Sequence, residues 1–244
     1  MNKRGQRTIR PPFFEIGPKT YVYGKDALAI ALAADEASKR YGVDVIFSAQ
    51  YTDIRTIAEA TENIFVFAQH MDSIKPGRGI GKVLPEALRE AGAEGVLLNH
   101  AEMPLDLYEL DRCITRAREA GLLSLVCAGT PAQGAAVACL GPDMIIAESP
   151  ELIGAGKRGP EDKEAIREIN ETIHRVAPGM LILHAAGISD ENDVYQVVRN
   201  GADATGSTSG IMKAEDPCLM TEKMIEAAAR AYRERKEEAD NGLS

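Results

Sequence analysis

The stretch GVLLNHAEMP at residues 95–104 sets an apolar run directly against a histidine and a glutamate, His100 and Glu102. An apolar run ending in a polar cluster is the pattern of a buried parallel strand emerging into its βα loop. Two more residues stand in equivalent places: Lys19, just after FFEIG, and Glu148, which closes DMIIAE. In α/β folds that end of the sheet carries the chemistry. An amine, an imidazole and a carboxylate on one rim suit proton abstraction beside a carbonyl. The carboxylate takes the proton, while the imidazole and the ammonium stabilise the developing enediolate oxygen. Each residue alone also fits a plain structural role: a solvated lysine, a histidine capping the next helix, a glutamate at the turn before Ser-Pro. Only their convergence is informative, so the elements that carry them decide.

Strand-like runs recur along the chain as FFEIG (13–17), VDVIFSA (43–49), IFVFAQ (64–69), GVLLN (95–99), LLSLVCA (122–128), DMIIAE (143–148), MLILHAA (180–186) and the weaker ADATGST (202–208). Between most of them lie patterns with apolar residues at three-to-four spacing, predicting helices over 24–42, 106–121, 161–179, 190–201 and 218–238. About eight strand-helix alternations in 244 residues fit a closed (β/α)8 barrel, with an open doubly wound sheet as the competing arrangement. No composition shift marks a linker, so residues 1–244 are expected to form one domain, with 1–10 and 236–244 as frayed tails.

If the sheet closes, Lys19, His100 and Glu148 project from one rim. SPELIGAG then reads as a lid over it, stiffened by Pro150 and loosened by Gly154 and Gly156, or as an ordinary βα loop with a glycine turn. HAAGIS (184–189) and STSGIMKAEDP (207–217) are small-residue loops after strands seven and eight, where backbone amides approach an anion closely.

Composition narrows the class. The chain is 45% hydrophobic and 27% charged, as in an ordinary globular protein with a substantial core. A net charge of -9 repels nucleic acid and anionic membrane surfaces, so neither is expected as a partner. The basic start MNKRGQRTIR lacks the apolar segment of a secretory signal, and no run is long enough to span a bilayer, which makes the cytoplasm the expected location. Cys113, Cys127, Cys139 and Cys218 are dispersed without a CxxC spacing, and neither GxGxxG nor GxxxxGK[ST] occurs. No metal, nucleotide or other cofactor is expected.

Taken together, GPKTY, FAQHMDSIKPG, VLPEALREAGAEGVLLNHAE, LLSLVCAGTP, AESPELIGAG, AAGISD and SGIMKAEDP, in that order over nearly the whole chain, resemble the triosephosphate isomerase family, in particular its shorter archaeal-type branch. The resemblance implies a TIM barrel and an intramolecular oxidoreductase of glycolysis. Such an isomerase interconverts dihydroxyacetone phosphate and glyceraldehyde 3-phosphate, or a closely related small sugar phosphate, through an enediol(ate). It implies Lys19 as the electrophilic lysine, His100 as the catalytic imidazole kept neutral by the helix that follows it, Glu148 as the base, and Glu102 as the carboxylate paired with the lysine. It implies that Gly154, Ala155, Gly156, Gly187, Ser209 and Gly210 cradle the phosphate, and that Ser149, Pro150, Glu151, Leu152 and Ile153 form the closing lid. It also implies a homo-oligomer, dimer or tetramer, joined through the loop at 75–83.

The sequence departs from the family pattern at specific points. Gly17 replaces an asparagine beside the lysine, Ala101 replaces the serine between histidine and glutamate, and Ile80 replaces an interface threonine. Ala185 and Thr208 alter the phosphate loops. These departures keep two alternatives open: a silent or weakened barrel that binds a sugar phosphate, and an isomerase for a four-carbon keto-sugar phosphate.

Overall fold

The computed structural model describes residues 7–148 and 162–242. Eight parallel strands, β1 (Phe13–Ile16), β2 (Asp44–Ala49), β3 (Phe65–Ala68), β4 (Gly95–Leu98), β5 (Leu123–Ala128), β6 (Met144–Ala147), β7 (Leu181–His184) and β8 (Ala204–Ser207), follow one another around a closed barrel. β8 returns to β1, with Glu15 opposite Gly206 on one side and Ile46 of β2 on the other. Outside lie α1 (Gly24–Tyr41), α2 (Ile54–Ala60), α3 (Pro85–Ala91), α4 (Leu107–Glu119), α5 (Pro131–Leu140), α6 (Asp162–Val176), α7 (Glu191–Arg199), α8 (Ser209–Met212) and α9 (Pro217–Asp240).

Side chains alternate between the two faces of a strand, and this splits the core in two. Phe13, Ile46, Phe65, Phe67, Leu97, Leu125, Met144 and Leu183 fill the barrel interior. Phe14, Ile16, Val45, Phe47, Val66, Val96, Val126, Ile145 and Ile182 face the opposite way and pack with the helices. Gly95 belongs to the interior packing, because a Cβ there would lie 2.3 Å from the Phe67 ring. The alternation also has a functional consequence. Residues one step beyond the apolar layer on the inward register point into the mouth of the barrel.

Local signals place the helices. Asp106, Asp190 and Asp216 accept amide hydrogen bonds at the heads of α4, α7 and α9, and Gly42 ends α1 at φ 67, the left-handed region that favours glycine. Four helices absent from the periodic patterns, α2, α3, α5 and α8, are short, and the α5 segment PAQGAAVACL carries almost no polar face to contrast with its apolar one.

Order reaches further toward both ends than composition suggests. The Arg7 guanidinium forks onto Glu94 at 2.9 and 2.6 Å and stacks 3.9 Å from the Phe65 ring centroid, and Ile9 is buried. Residues 236–240 continue α9 instead of fraying. That helix is held by Arg235 donating to the carbonyls of Val198 and Ala202 at 2.6 and 2.8 Å, and by Glu238 accepting from Arg199 at 2.6 Å.

Candidate active site

Lys19 leaves β1 through Pro18 with its backbone at φ 49, a strained conformation for a residue with a Cβ. Surrounding groups hold it there: its carbonyl accepts from Gln50 Nε2 at 2.8 Å and Gln69 Nε2 at 3.0 Å, and Gln69 also ties to the carbonyl of Ser48 at 2.9 Å. The ammonium donates to Glu102 Oε1 at 2.6 Å. That bond holds the Glu102 carboxyl below its ordinary range.

β4 is followed by Asn99, also left-handed at φ 59, whose side-chain amide donates to the carbonyl of Cys127 at 3.0 Å and accepts from the backbone N–H of Leu105 at 2.9 Å. The turn pinned in this way fixes the tautomer of His100. Its Nδ1 accepts the Glu102 backbone N–H at 3.1 Å, so in the neutral ring the proton sits on Nε2. Nε2 lies 3.5 Å from Glu148 Oε2. Burial first, and the Lys19 charge second, push the imidazole below its usual range and keep it neutral. The helix after His100, expected to keep the ring neutral, is not what contacts it. α4 starts only at Leu107, headed by Asp106, and the tight turn after β4 supplies the N–H instead.

Glu148 directly follows β6, its N–H bonded to the carbonyl of Ala128 at 3.0 Å and its side chain 13% exposed. After β7, Ala186 (φ 66) and Gly187 (φ 69) are successive left-handed residues. After β8, the first bonds of α8 run from Ile211 and Met212 to Thr208 O, so the amides of Ser209 and Gly210 precede the helical ladder. A Cβ on Gly210 would lie 2.7 Å from Ser207 Oγ and 2.8 Å from the carbonyls of Ile188 and Ser189.

Lys19, His100, Glu102, Glu148, Gly187 and Ser209 all border one cavity of about 510 Å3 at the C-terminal mouth of the barrel. Gly210 stands directly behind Ser209. Gly154, Ala155 and Gly156, and the lid Ser149, Pro150, Glu151, Leu152 and Ile153, lie outside the described residues.

The residue that sequence reasoning missed is Glu15. It sits within β1 on the inward register, 7% exposed, and lines the same cavity. Ser48 Oγ donates to its Oε1 at 2.6 Å. Burial raises its carboxyl from 4.5 to about 7 against the opposing Ser48 bond, and the charge of Glu148 adds to the rise. The signal in the sequence was a carboxylate inside an otherwise apolar strand, with a glycine two residues on in the same register.

Fold and site together define a (β/α)8-barrel isomerase whose ionisable side chains sit on strand ends. The model of the family described as triosephosphate isomerase matches residues 18–228. Proteins named triosephosphate isomerase from Sulfurisphaera tokodaii and Sulfolobus acidocaldarius are 36% and 37% identical over 93% and 94% of this chain and the whole of each relative. A triosephosphate isomerase from Methanobacterium bryantii is 37% identical over 84% of this chain and 92% of its own. The crystal structure of triosephosphate isomerase from Bartonella henselae superposes with a TM-score of 0.72 at 16% identity, covering 90% of this chain and 99% of that one, a likeness of fold. The chain belongs to the triosephosphate isomerase family.

Proposed function

We propose that this protein interconverts dihydroxyacetone phosphate and glyceraldehyde 3-phosphate. One observation carries the reading: the His100 ring has Nδ1 committed to a backbone N–H and Nε2 turned toward Glu148, in the cavity that the Lys19 ammonium enters. Triosephosphate isomerase is itself a standard example of a glutamate base beside a histidine held neutral. On this reading Glu148 removes a proton from the carbon next to the carbonyl. The C–H electron pair forms the enediolate double bond, and the carbonyl oxygen gains the charge. His100 Nε2–H gives its proton to that oxygen and takes the proton of the adjacent hydroxyl, with Lys19 stabilising the charge; Glu148 then returns its proton to the former carbonyl carbon as the other oxygen becomes the carbonyl. Glu102 anchors Lys19.

The phosphate rests on backbone amides at Gly187, Ser209 and Gly210, supported by their position after β7 and β8, where barrel phosphate sites recur. Gly154, Ala155 and Gly156 complete the cradle, and residues 149–153 close over it. Retention of the amine, imidazole and carboxylate in one cavity argues against a silent barrel.

The protein acts as a single barrel domain in the cytoplasm; no helix among the described residues is long and apolar enough to cross a membrane. It assembles as a homo-oligomer, a reading supported by the fully exposed Ile80 in a loop closed by Asp72 N to Val83 O at 3.0 Å.

Solvent deuterium incorporation into dihydroxyacetone phosphate tests the assignment. Exchange by the native protein that disappears in Glu148→Gln is the expected result, and an unchanged rate in the variant would sink it.

A further inference from the structure

Glu15 has a structural setting that stability does not explain. A carboxyl inside an apolar barrel costs stability unless its oxygens are satisfied. Among the described residues its one hydrogen-bonding partner is Ser48, on Oε1. The other oxygen leans toward two glycines. A Cβ on Gly206 would lie 3.1 Å from Oε2, and a Cβ on Gly17 would lie 3.0 Å from Oε1 and 3.3 Å from Oε2. A side chain at Gly17 would therefore crowd the carboxyl itself, and one at Gly206 would meet the Glu15 backbone carbonyl at 2.6 Å and Cβ at 3.0 Å as well as the carboxyl. Glu15 and the two glycines line the cavity together with Lys19 and Glu148, whose charges act on the Glu15 carboxyl.

We propose that Glu15 is a further substrate-contacting residue: its carboxyl, held by Ser48 in the gaps left by Gly17 and Gly206, hydrogen-bonds the uncharged hydroxycarbonyl end of the substrate and helps select it. The proposal rests on the isomerase reading above. The uncharged end is assigned because a phosphate dianion beside a carboxyl next to Glu148 would be repelled. The groups facing Glu15 that titrate are Glu148 after β6, Lys19 after β1 and Cys127 on β5. With its proton on, Glu15 donates to a substrate oxygen. Ionised, it repels the developing enediolate.

The experiment compares native protein, Glu15→Gln and Glu15→Leu with both triose phosphates as substrates. kcat and KM are measured from pH 5.5 to 9, and thermal melting confirms that each variant is folded. A direct contact predicts that Glu15→Leu loses roughly tenfold or more in kcat/KM, as expected for a lost hydrogen bond in a desolvated site. The native protein should lose kcat/KM as pH rises through about 7, while Glu15→Gln, which cannot ionise, stays within about threefold of native at low pH and lacks that decline. Native kcat/KM in folded Glu15→Leu, or superimposable pH profiles for native and Glu15→Gln, would overturn the assignment. Failure of the native protein to turn over either triose phosphate overturns the isomerase reading and this proposal together. An active native protein with indifferent variants overturns this proposal alone.

Discussion

At the ends of β1, β4 and β6 the cavity is lined by ionisable side chains, Glu15, Lys19, His100, Glu102 and Glu148, whereas at the ends of β7 and β8 it is lined by Ala185, Ala186, Gly187, Gly206 and Ser209. On the proposed reading the first half moves protons and meets charge that develops during reaction, and the second offers backbone amides to charge that is already there. Ionisable groups must be tuned by their neighbours: Glu15 raised by burial, His100 lowered by burial and Lys19, Glu102 lowered by its bond to Lys19. Amides need only small residues that let an anion approach. On the proposed reading, a protein with net charge -9 binds a phosphate ester through that second half, where no carboxylate lines the described part of the cavity.

The contrast is broken most severely on the ionisable side. Glu148→Gln should cut kcat by about 10^3 to 10^4, the upper range for loss of a positioned base, with KM little changed in steady-state assays. His100→Gln should cost about 10^2 to 10^3 in kcat, because a correctly aimed N–H is removed from the oxyanion while the base stays in place.

Glu15→Gln sharpens the comparison through stability. Its carboxyl is raised from 4.5 to about 7 in the folded state, so its neutral form favours folding below about pH 4.5 and that favour is lost as pH climbs through about 7. The variant should match native stability near pH 4 and exceed it at pH 8 by up to about 3 kcal/mol, measured by urea unfolding at both values. Equal differences at the two pH values would contradict the raised carboxyl.

On the amide side the effect should be smallest and of a different kind. Gly210→Ala pushes a methyl into Ser207 and the carbonyls of Ile188 and Ser189. KM should rise roughly tenfold with kcat falling less, since the displaced amides contact a phosphate that is bound equally before and during reaction. A variant that loses kcat alone would place Gly210 with the proton-transfer groups.

Particular residues show how far the sequence could be read. All eight strands were legible, because each buried parallel strand is a short apolar run between turn signals. α4, α6 and α7 were legible from three-to-four periodicity, while α2 and α3 occupy only seven residues each, too few to establish a period. Lys19, His100 and Glu148 stood out because polar residues directly after apolar runs mark strand ends. Glu15 did not, because a lone acidic residue within FFEIG gives no hint of which way it points until the register with β2 and β8 is known.

The sequence by itself therefore determined the strand-helix alternation and its strand ends, which depend on local periodicity, and, through the resemblance of ordered segments, the family and the barrel it implies. Only the tertiary structure decided the state of each group: the neutral His100 with its proton on Nε2, the strained Lys19 held by two glutamines, and the Glu15 carboxyl standing where Gly17 and Gly206 have no side chains. Tautomer, strain and ionisation are set by atoms distant in sequence and within a few ångströms in space. Closing β8 onto β1 is what brings those atoms together.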